Sequence, residues 1–216
     1  MKSWQLGQLG SFLYHLFDSL RQRVNRNIVN FLVGILNHDN NAIVMEAGSG
    51  PAYASTLLAK KPGIKLSIAL DIDPAAIALA RMRDQALPAV IADIYNLPFL
   101  SSSFDLIWNS STIEHLDDPL PVLKEFSRLL KADGRIFIGV PYLYGPLGVQ
   151  KLIPNTPAGI WIGKVFDHGS LKELLRAAGF YEKVFVKYFL NFFIGVVGEK
   201  SFSLKYPQNN FKVMEA

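Results

Sequence analysis

From Ala42 onward the chain alternates short apolar runs with helix-forming stretches, and three of the runs close on a carboxylate. Ala42 to Ala47 contains Glu46 and leads into Gly48-Ser49-Gly50; Lys65 to Leu70 ends at Asp71; Ala89 to Ala92 ends at Asp93. Between them, Tyr53 to Lys60 and Pro74 to Asp84 have helical composition, the second with Asp73 as N-cap and Pro74 in its first turn. The alternation continues with a strand from Phe104 to Trp108, a helix from Pro119 to Leu130 capped by Asp117 or Asp118, and a strand from Arg135 to Val140 entered through an Asp133-Gly134 turn. Near-continuous apolar strands such as Ile136-Phe137-Ile138 suit a sheet covered on both faces. The pattern predicts an α/β fold with a parallel sheet and helices on either side. The end of the chain differs. A helix from Ser170 to Ala178 is closed by Gly179, and Tyr181 to Phe189 and Phe192 to Lys200 read as an antiparallel pair turning around Leu190-Asn191.

Composition removes several function classes. With no cysteine among 216 residues, a disulfide scaffold, a thiolate nucleophile and a zinc–sulfur site are all excluded. The net charge of +4 is spread along the chain rather than gathered in a stripe, so nucleic acid is not expected as a partner. A bilayer-spanning helix needs about 18 or more consecutive apolar residues. The most apolar stretch, Leu190 to Val197, is short and contains Asn191 and Gly195. Gln5, Gly7, Gln8 and Gly10 interrupt the N-terminus, which lacks the apolar block of a secretory signal; a cytoplasmic location is expected.

Residues 1–41 form a segment of their own. Phe12, Leu16, Leu20, Val24, Ile28, Leu32 and Leu36 recur at every fourth position, with Leu13, Phe17, Phe31 and Ile35 widening the stripe of a helix from Ser11 to Leu36. Such a stripe packs on a core, or docks on a membrane surface as a peripheral contact. Residues 42–204 are read as the main domain, with 142–168, rich in Pro, Gly and aromatics, as a substrate lid, and 205–216 as a tail.

The chemistry gathers at the strand ends. Glycines at Gly48 and Gly50 let the backbone approach a ligand closely. Asp71 follows that turn by about 20 residues, the separation at which a strand-end acid reaches ribose hydroxyls. Ligands of open α/β sheets bind at the carboxyl ends of strands, where Glu46, Asp71 and Asp93 all fall. Any one acid could instead cap the following helix; all of them at consecutive strand ends is harder to explain by capping.

Residues 42–200 resemble the class I S-adenosylmethionine-dependent methyltransferases, nearest to the small-molecule branch of ubiquinone and menaquinone biosynthesis. The resemblance is carried by Glu46-Ala47-Gly48-Ser49-Gly50, Leu70-Asp71-Ile72-Asp73-Pro74, Ala92-Asp93-Ile94-Tyr95-Asn96-Leu97-Pro98-Phe99, Phe104-Asp105-Leu106-Ile107, Glu114-His115-Leu116-Asp117-Asp118-Pro119 and Leu129-Leu130-Lys131-Ala132-Asp133-Gly134-Arg135. It implies a Rossmann-like, seven-stranded, mostly parallel sheet with a terminal antiparallel hairpin, and S-adenosylmethionine as cofactor. It also implies roles for residues. Glu46, Gly48 and Gly50 belong to the glycine motif, whose glycines flank the methionine moiety. Asp71 holds the ribose and Ile72 packs on the adenine. Asp93 accepts from the adenine amino group with Ile94 beside the ring, and Asn109 lines the methyl-transfer side. Two positions depart from the family pattern: Ala52 stands where many members have a third glycine, and Asp73 where serine or threonine is frequent.

The expected reaction moves the cofactor's methyl group to an oxygen, carbon or nitrogen of a small, apolar or lipid-like acceptor. A base is needed only where the acceptor must lose a proton, and His115 and His168 are the candidates. Each histidine also has a local structural role open to it at a loop–helix junction. Some relatives hold magnesium through Glu-x-x-Glu-His; here Ser111 replaces the first glutamate, so no metal is expected. Tyr142, Tyr144, Trp161 and Phe166 suit an apolar acceptor or fill a secondary core. The alternative is a methyltransferase-like binding or assembly protein without turnover. A nicotinamide dehydrogenase is disfavoured by Asp93 and the terminal hairpin.

Overall fold

In the computed structural model, residues 11–36, 41–152, 163–200 and 210–211 are described, the side chains of 11–22 and 210–211 excepted. The chain divides into two compact units, Met1–Ile91 and Ala92–Ala216.

In the first unit α1 (Ser11–Ile35) precedes β1 (Ala42–Ala47), α2 (Tyr53–Leu58), β2 (Ile64–Asp71), α3 (Pro74–Arg83) and β3 (Ala89–Ile91). β2 lies between β1 and β3 and pairs with both in parallel, Met45 opposite Ile68 and Leu70 opposite Val90. Parallel neighbours need a crossover, which α2 and α3 supply. Small side chains let the layers approach: Ala52, Ala69, Ala80 and Ala89 share a buried cluster with Ile77 and Leu87. Asp73 caps α3 as its sequence suggests, accepting from Ala75 N at 3.0 Å with Pro74 following. Over the second half of α1 the buried residues are Ile28, Val29, Leu32 and Ile35, a helical stripe. Lys61 Nζ donates to Asn30 Oδ1 at 2.8 Å, fastening that half to the chain after α2. The earlier stripe residues, Phe12 to Leu20, lie outside the described side chains.

The second unit holds β4 (Phe104–Ser110), a 3₁₀ turn (Ile113–His115), α4 (Leu120–Leu129), β5 (Leu130–Pro141), α5 (Pro146–Lys151), α6 (His168–Ala177), β6 (Phe180–Tyr188), β7 (Phe193–Lys200) and β8 (Asn210–Phe211). β4 and β5 are parallel, β7 runs antiparallel to both β5 and β6, and β8 pairs in parallel with β6. The two-residue β8 is additional to the seven strands that the family resemblance implies.

Three local expectations are corrected. β5 begins at Leu130, not Arg135, because the chain stays extended through Asp133-Gly134 and the extra residues are absorbed as a bulge opposite Phe104 and Leu106. β4 extends to Ser110, so Asn109 lies within the strand rather than just after it. The N-cap position of α4 is Pro119, while Asp118 Oδ1 accepts from Leu120 N at 3.0 Å.

The turn from β6 to β7 places Phe189, Leu190 and Asn191 at φ of 50°, 52° and 61°. Left-handed backbone costs a non-glycine residue about 1–2 kcal/mol. Ring contacts of Phe189 with Phe192 and Phe193, and of Tyr188 with Phe193, at centroid separations of 5.2, 6.3 and 5.5 Å, offset that strain. α6 opens with a capping box between Asp167 and Ser170 and is followed by Gly179 at φ 88°. Among the described residues no helix is long and apolar enough to cross a membrane.

Candidate functional site

The first unit draws four of the expected site residues together. After β1 the chain turns through Gly48 at φ 75°, Gly50 at φ 52° and Ala52 at φ 56°. Only glycine enters this region without strain. Ala52 therefore carries at the third position the conformation that a glycine would adopt freely. Gly48 N and Ser49 N both donate to Leu70 O at 2.8 Å, which ties the turn to the end of β2. Asp71 completes the closure: its Oδ2 accepts from Gly50 N at 2.7 Å and its Oδ1 from Asp73 N at 2.9 Å. Ile72 follows, 67% exposed, an apolar face left open beside the acid.

Glu46 faces inward. Its Oε2 accepts from Ser55 N at 3.1 Å and from Ser55 Oγ at 2.5 Å, so it fastens β1 to α2. Burial pushes its pKa up to about 8, against the lowering effect of the Ser55 hydrogen bonds, and the nearby Asp71 carboxylate adds to the rise. Glu46 is thus a neutral hydrogen-bonding group at pH 7, and its geometry is that of a strut.

In the second unit Asp93 is exposed and accepts from Tyr95 N at 3.0 Å, while Ile94 beside it is buried. Leu97 N donates to Glu125 Oε1 at 3.1 Å, which anchors the end of this segment to α4. Asn109 is fully buried and turns its Oδ1 toward Ile113 N at 3.4 Å, holding the 3₁₀ turn under the end of β4.

That turn carries Glu114 and His115. Glu114 is 2% exposed and its Oε2 has no hydrogen-bond partner. Burial raises its pKa to about 8. The His115 Nε2 lies 4.0 Å from Glu114 Oε1, and the ring is 45% exposed. Burial, followed by the charge of Lys151, lowers the His115 pKa, so the imidazole is neutral at pH 7. The chain before α6 clasps this turn: Lys164 N donates to Glu114 O at 2.9 Å, and Lys164 Nζ to Leu116 O and Asp117 O at 2.7 and 2.5 Å. Lys151 Nζ donates to Gly163 O. His168 is held elsewhere. Its Nε2 is 2.7 Å from Glu182 Oε2, and its ring lies 4.0 Å from that of Phe185.

Sequence reasoning missed one arrangement. The Tyr188 hydroxyl lies 2.9 Å from Ser110 Oγ, close enough to Glu114 to feel its charge. It fits because position 139 is glycine: a Cβ there would stand 2.1 Å from the Tyr188 oxygen. A glycine within an apolar strand is the available signal, since it marks close approach of another group. Of the proposed lid, residues 153–162, including Trp161, lie outside the described residues. Tyr142 and Tyr144 meet edge to face at 5.7 Å, and Tyr144 is 71% exposed. Among the described residues no cluster of three or more His, Asp or Glu side chains is arranged to hold a metal ion.

Residues 45–138 match the family described as Methyltransferase domain. Malonyl-[acyl-carrier protein] O-methyltransferase of Laribacter hongkongensis is 30% identical over 156 residues, which covers 64% of this chain and 50% of the relative. A protein of Mycobacterium tuberculosis named probable S-adenosylmethionine-dependent methyltransferase is 33% identical over 141 residues, covering 64% of this chain and 48% of the relative. The chain thus spans about half the length of these curated relatives. Among solved structures, an S-adenosylmethionine-dependent methyltransferase of Thermotoga maritima superposes with a TM-score of 0.68 at 21% identity, covering 87% of this chain and 95% of that one. The fold is therefore the Rossmann-like one expected, mostly parallel with a terminal antiparallel pair.

Proposed function

We propose that the chain is a class I S-adenosylmethionine-dependent methyltransferase, as its matched methyltransferase domain supports, and that it transfers the cofactor's methyl group to an oxygen, carbon or nitrogen of a small, apolar or lipid-like acceptor. The observation that carries the reading is the closed glycine turn, in which two left-handed glycines are locked to the strand-end acid by the 2.7 Å bond from Gly50 N to Asp71. A turn held this way exposes backbone without side chains and a carboxylate oriented for hydroxyl groups, which fits a ribose-bearing cofactor.

S-adenosylmethionine supplies a methyl group already activated on a sulfonium, so what remains for the protein is holding, orienting and excluding water. Orientation alone contributes about 7–11 kcal/mol in favourable cases. In the first unit Gly48 and Gly50 would flank the methionine moiety, Asp71 would accept from the ribose hydroxyls, and the open face of Ile72 would cover the adenine. Glu46 would support this set from behind through Ser55. In the second unit Asp93 would accept from the adenine amino group beside Ile94, and Asn109 would fix the turn on the transfer side. His115, neutral at pH 7, and His168 are candidate bases where the acceptor must lose a proton. His168 would first have to leave Glu182.

An apolar acceptor is supported by the open faces of Tyr144, Val149 and Leu152 beyond β5. The Laribacter relative, by its name, is an O-methyltransferase of malonyl-[acyl-carrier protein]. Peripheral membrane contact through α1 draws no support from its second half, whose apolar stripe is buried. Vesicle flotation with and without the first 36 residues tests that contact. Calorimetry with S-adenosylmethionine, followed by transfer of radiolabelled methyl to acyl thioesters, fatty acids and phenols, tests the main proposal. No detectable binding at millimolar cofactor would end it.

A further inference from the structure

At the carboxyl end of β4, four features converge that the cofactor set does not use. Glu114 is buried with one carboxyl oxygen unpartnered, which costs about 1–3 kcal/mol unless something binds it. The Tyr188 hydroxyl reaches Ser110 through the space left by Gly139. Ser110 is only partly buried, so this pair leads from the surface inward. Ser111 stands at φ 61°, a strained value for serine, where the chain leaves β4 and enters the 3₁₀ turn that carries Glu114.

We propose that Glu114, rather than either histidine, takes the proton of the methyl acceptor, and that the acceptor group entering here is an uncharged hydroxyl of phenol type. This rests on the methyl transfer proposed above. The groups facing Glu114 are His115 on its own turn and Tyr188 from β6, and Ser110 from β4 is hydrogen-bonded to Tyr188. The nearby cations are already engaged, Lys164 with Leu116 O and Asp117 O, and Lys151 with Gly163 O. An anionic acceptor would meet no free cation among them and would face a carboxyl that it must keep protonated. A phenol instead donates to the unpartnered oxygen while Tyr188 and Ser110 orient its ring oxygen. As the acceptor oxygen bonds to the methyl carbon, the sulfur–carbon pair returns to sulfur, and the hydroxyl proton passes to the Glu114 carboxylate. The raised pKa of Glu114 makes it a stronger base than an ordinary carboxylate, matched to mildly alkaline operation.

The test uses the full chain labelled with 13C at glutamate side chains, saturated with S-adenosylhomocysteine. 4-Hexylphenol should shift the Glu114 carboxyl signal, assigned through Glu114→Gln, and 4-hexylbenzoate should not. With S-adenosylmethionine, kcat/KM for the phenol should rise with pH toward a plateau above pH 8. Glu114→Gln should lower it about 10²- to 10⁴-fold and remove the rise, while His115→Gln keeps the rise. Failure of S-adenosylhomocysteine to bind overturns the transfer reading and this proposal with it. Binding with a Glu114 signal that only the benzoate moves, or that neither compound moves, overturns this proposal alone. So does a Glu114→Gln protein that retains both the rate and its pH dependence.

Discussion

Replacing Glu46 by glutamine should stabilise the protein, and increasingly so as the pH rises. An unfolded glutamate titrates near 4.5, whereas burial holds Glu46 near 8 in the folded chain. Between those values the unfolded chain has released a proton that the folded chain retains, so stability falls with rising pH by about 1.4 kcal/mol per unit. The loss is about 3 kcal/mol at pH 7 and levels off at about 5 kcal/mol above pH 8. This is the reverse of the usual surface carboxylate, which stabilises as it ionises. Glutamine keeps what matters locally, because Ser55 N and Ser55 Oγ both donate to the same Glu46 oxygen, and an amide oxygen accepts both. The variant and the parent should therefore have similar urea midpoints near pH 4 and separate progressively from pH 5 to pH 9. Glu114 contributes a second, independent descent in both proteins, so the variant's own curve keeps about half the slope. Urea unfolding at pH 4, 5, 7 and 9 decides the matter. Parallel curves for the two proteins across that range would refute the assignment of a neutral, strut-like Glu46.

Three further outcomes follow from the geometry. Gly139→Ala places a Cβ against the Tyr188 oxygen and should cost about 1–3 kcal/mol, read by urea unfolding. Adding Tyr188→Phe removes the clashing atom, so the double variant should lose less than the sum of the single losses. Ala52→Gly should be nearly neutral, because relief of the left-handed backbone, about 1–2 kcal/mol, is cancelled by a buried methyl and greater unfolded-state freedom. Ala52→Val, with a branched side chain at φ 56°, should cost more than about 2 kcal/mol in the same assay. His168→Ala should lose about 1–2 kcal/mol through the missing Glu182 bond, and calorimetry should show its S-adenosylmethionine affinity unchanged.

What could be read from the sequence follows from how local each feature is. The strand–helix alternation, the Asp73 cap and the closing Gly179 depend on neighbouring residues, and the elements lie where those residues indicate. The start of β5 departs from the turn signal because Asp133-Gly134 carries turn chemistry that pairing with β4 overrides as a bulge. The pairing of Gly50 with Asp71 was foreseeable in outline, since the acid follows the turn at a set separation along consecutive parallel strands. By contrast, the Ser110, Tyr188 and Gly139 arrangement joins residues up to 78 positions apart on different strands, and Gly139 in its apolar strand signals a close approach without identifying the group that approaches. Glu114 was visible only as one member of a Glu-His pair. Its importance comes from burial and a missing partner, which three-dimensional packing alone determines.

Asp71 closes the glycine turn through Gly50 N, and in the proposed function it would also accept from the cofactor. Calorimetric titration of the parent and of Asp71→Ala with S-adenosylmethionine tests this most directly. Removing a charged acceptor should cost about 1.5–3 kcal/mol of binding, a weakening of roughly ten- to a hundredfold, with the Gly50 amide left without its partner. Equal affinity of the two proteins, or no binding by the parent at millimolar cofactor, would contradict it.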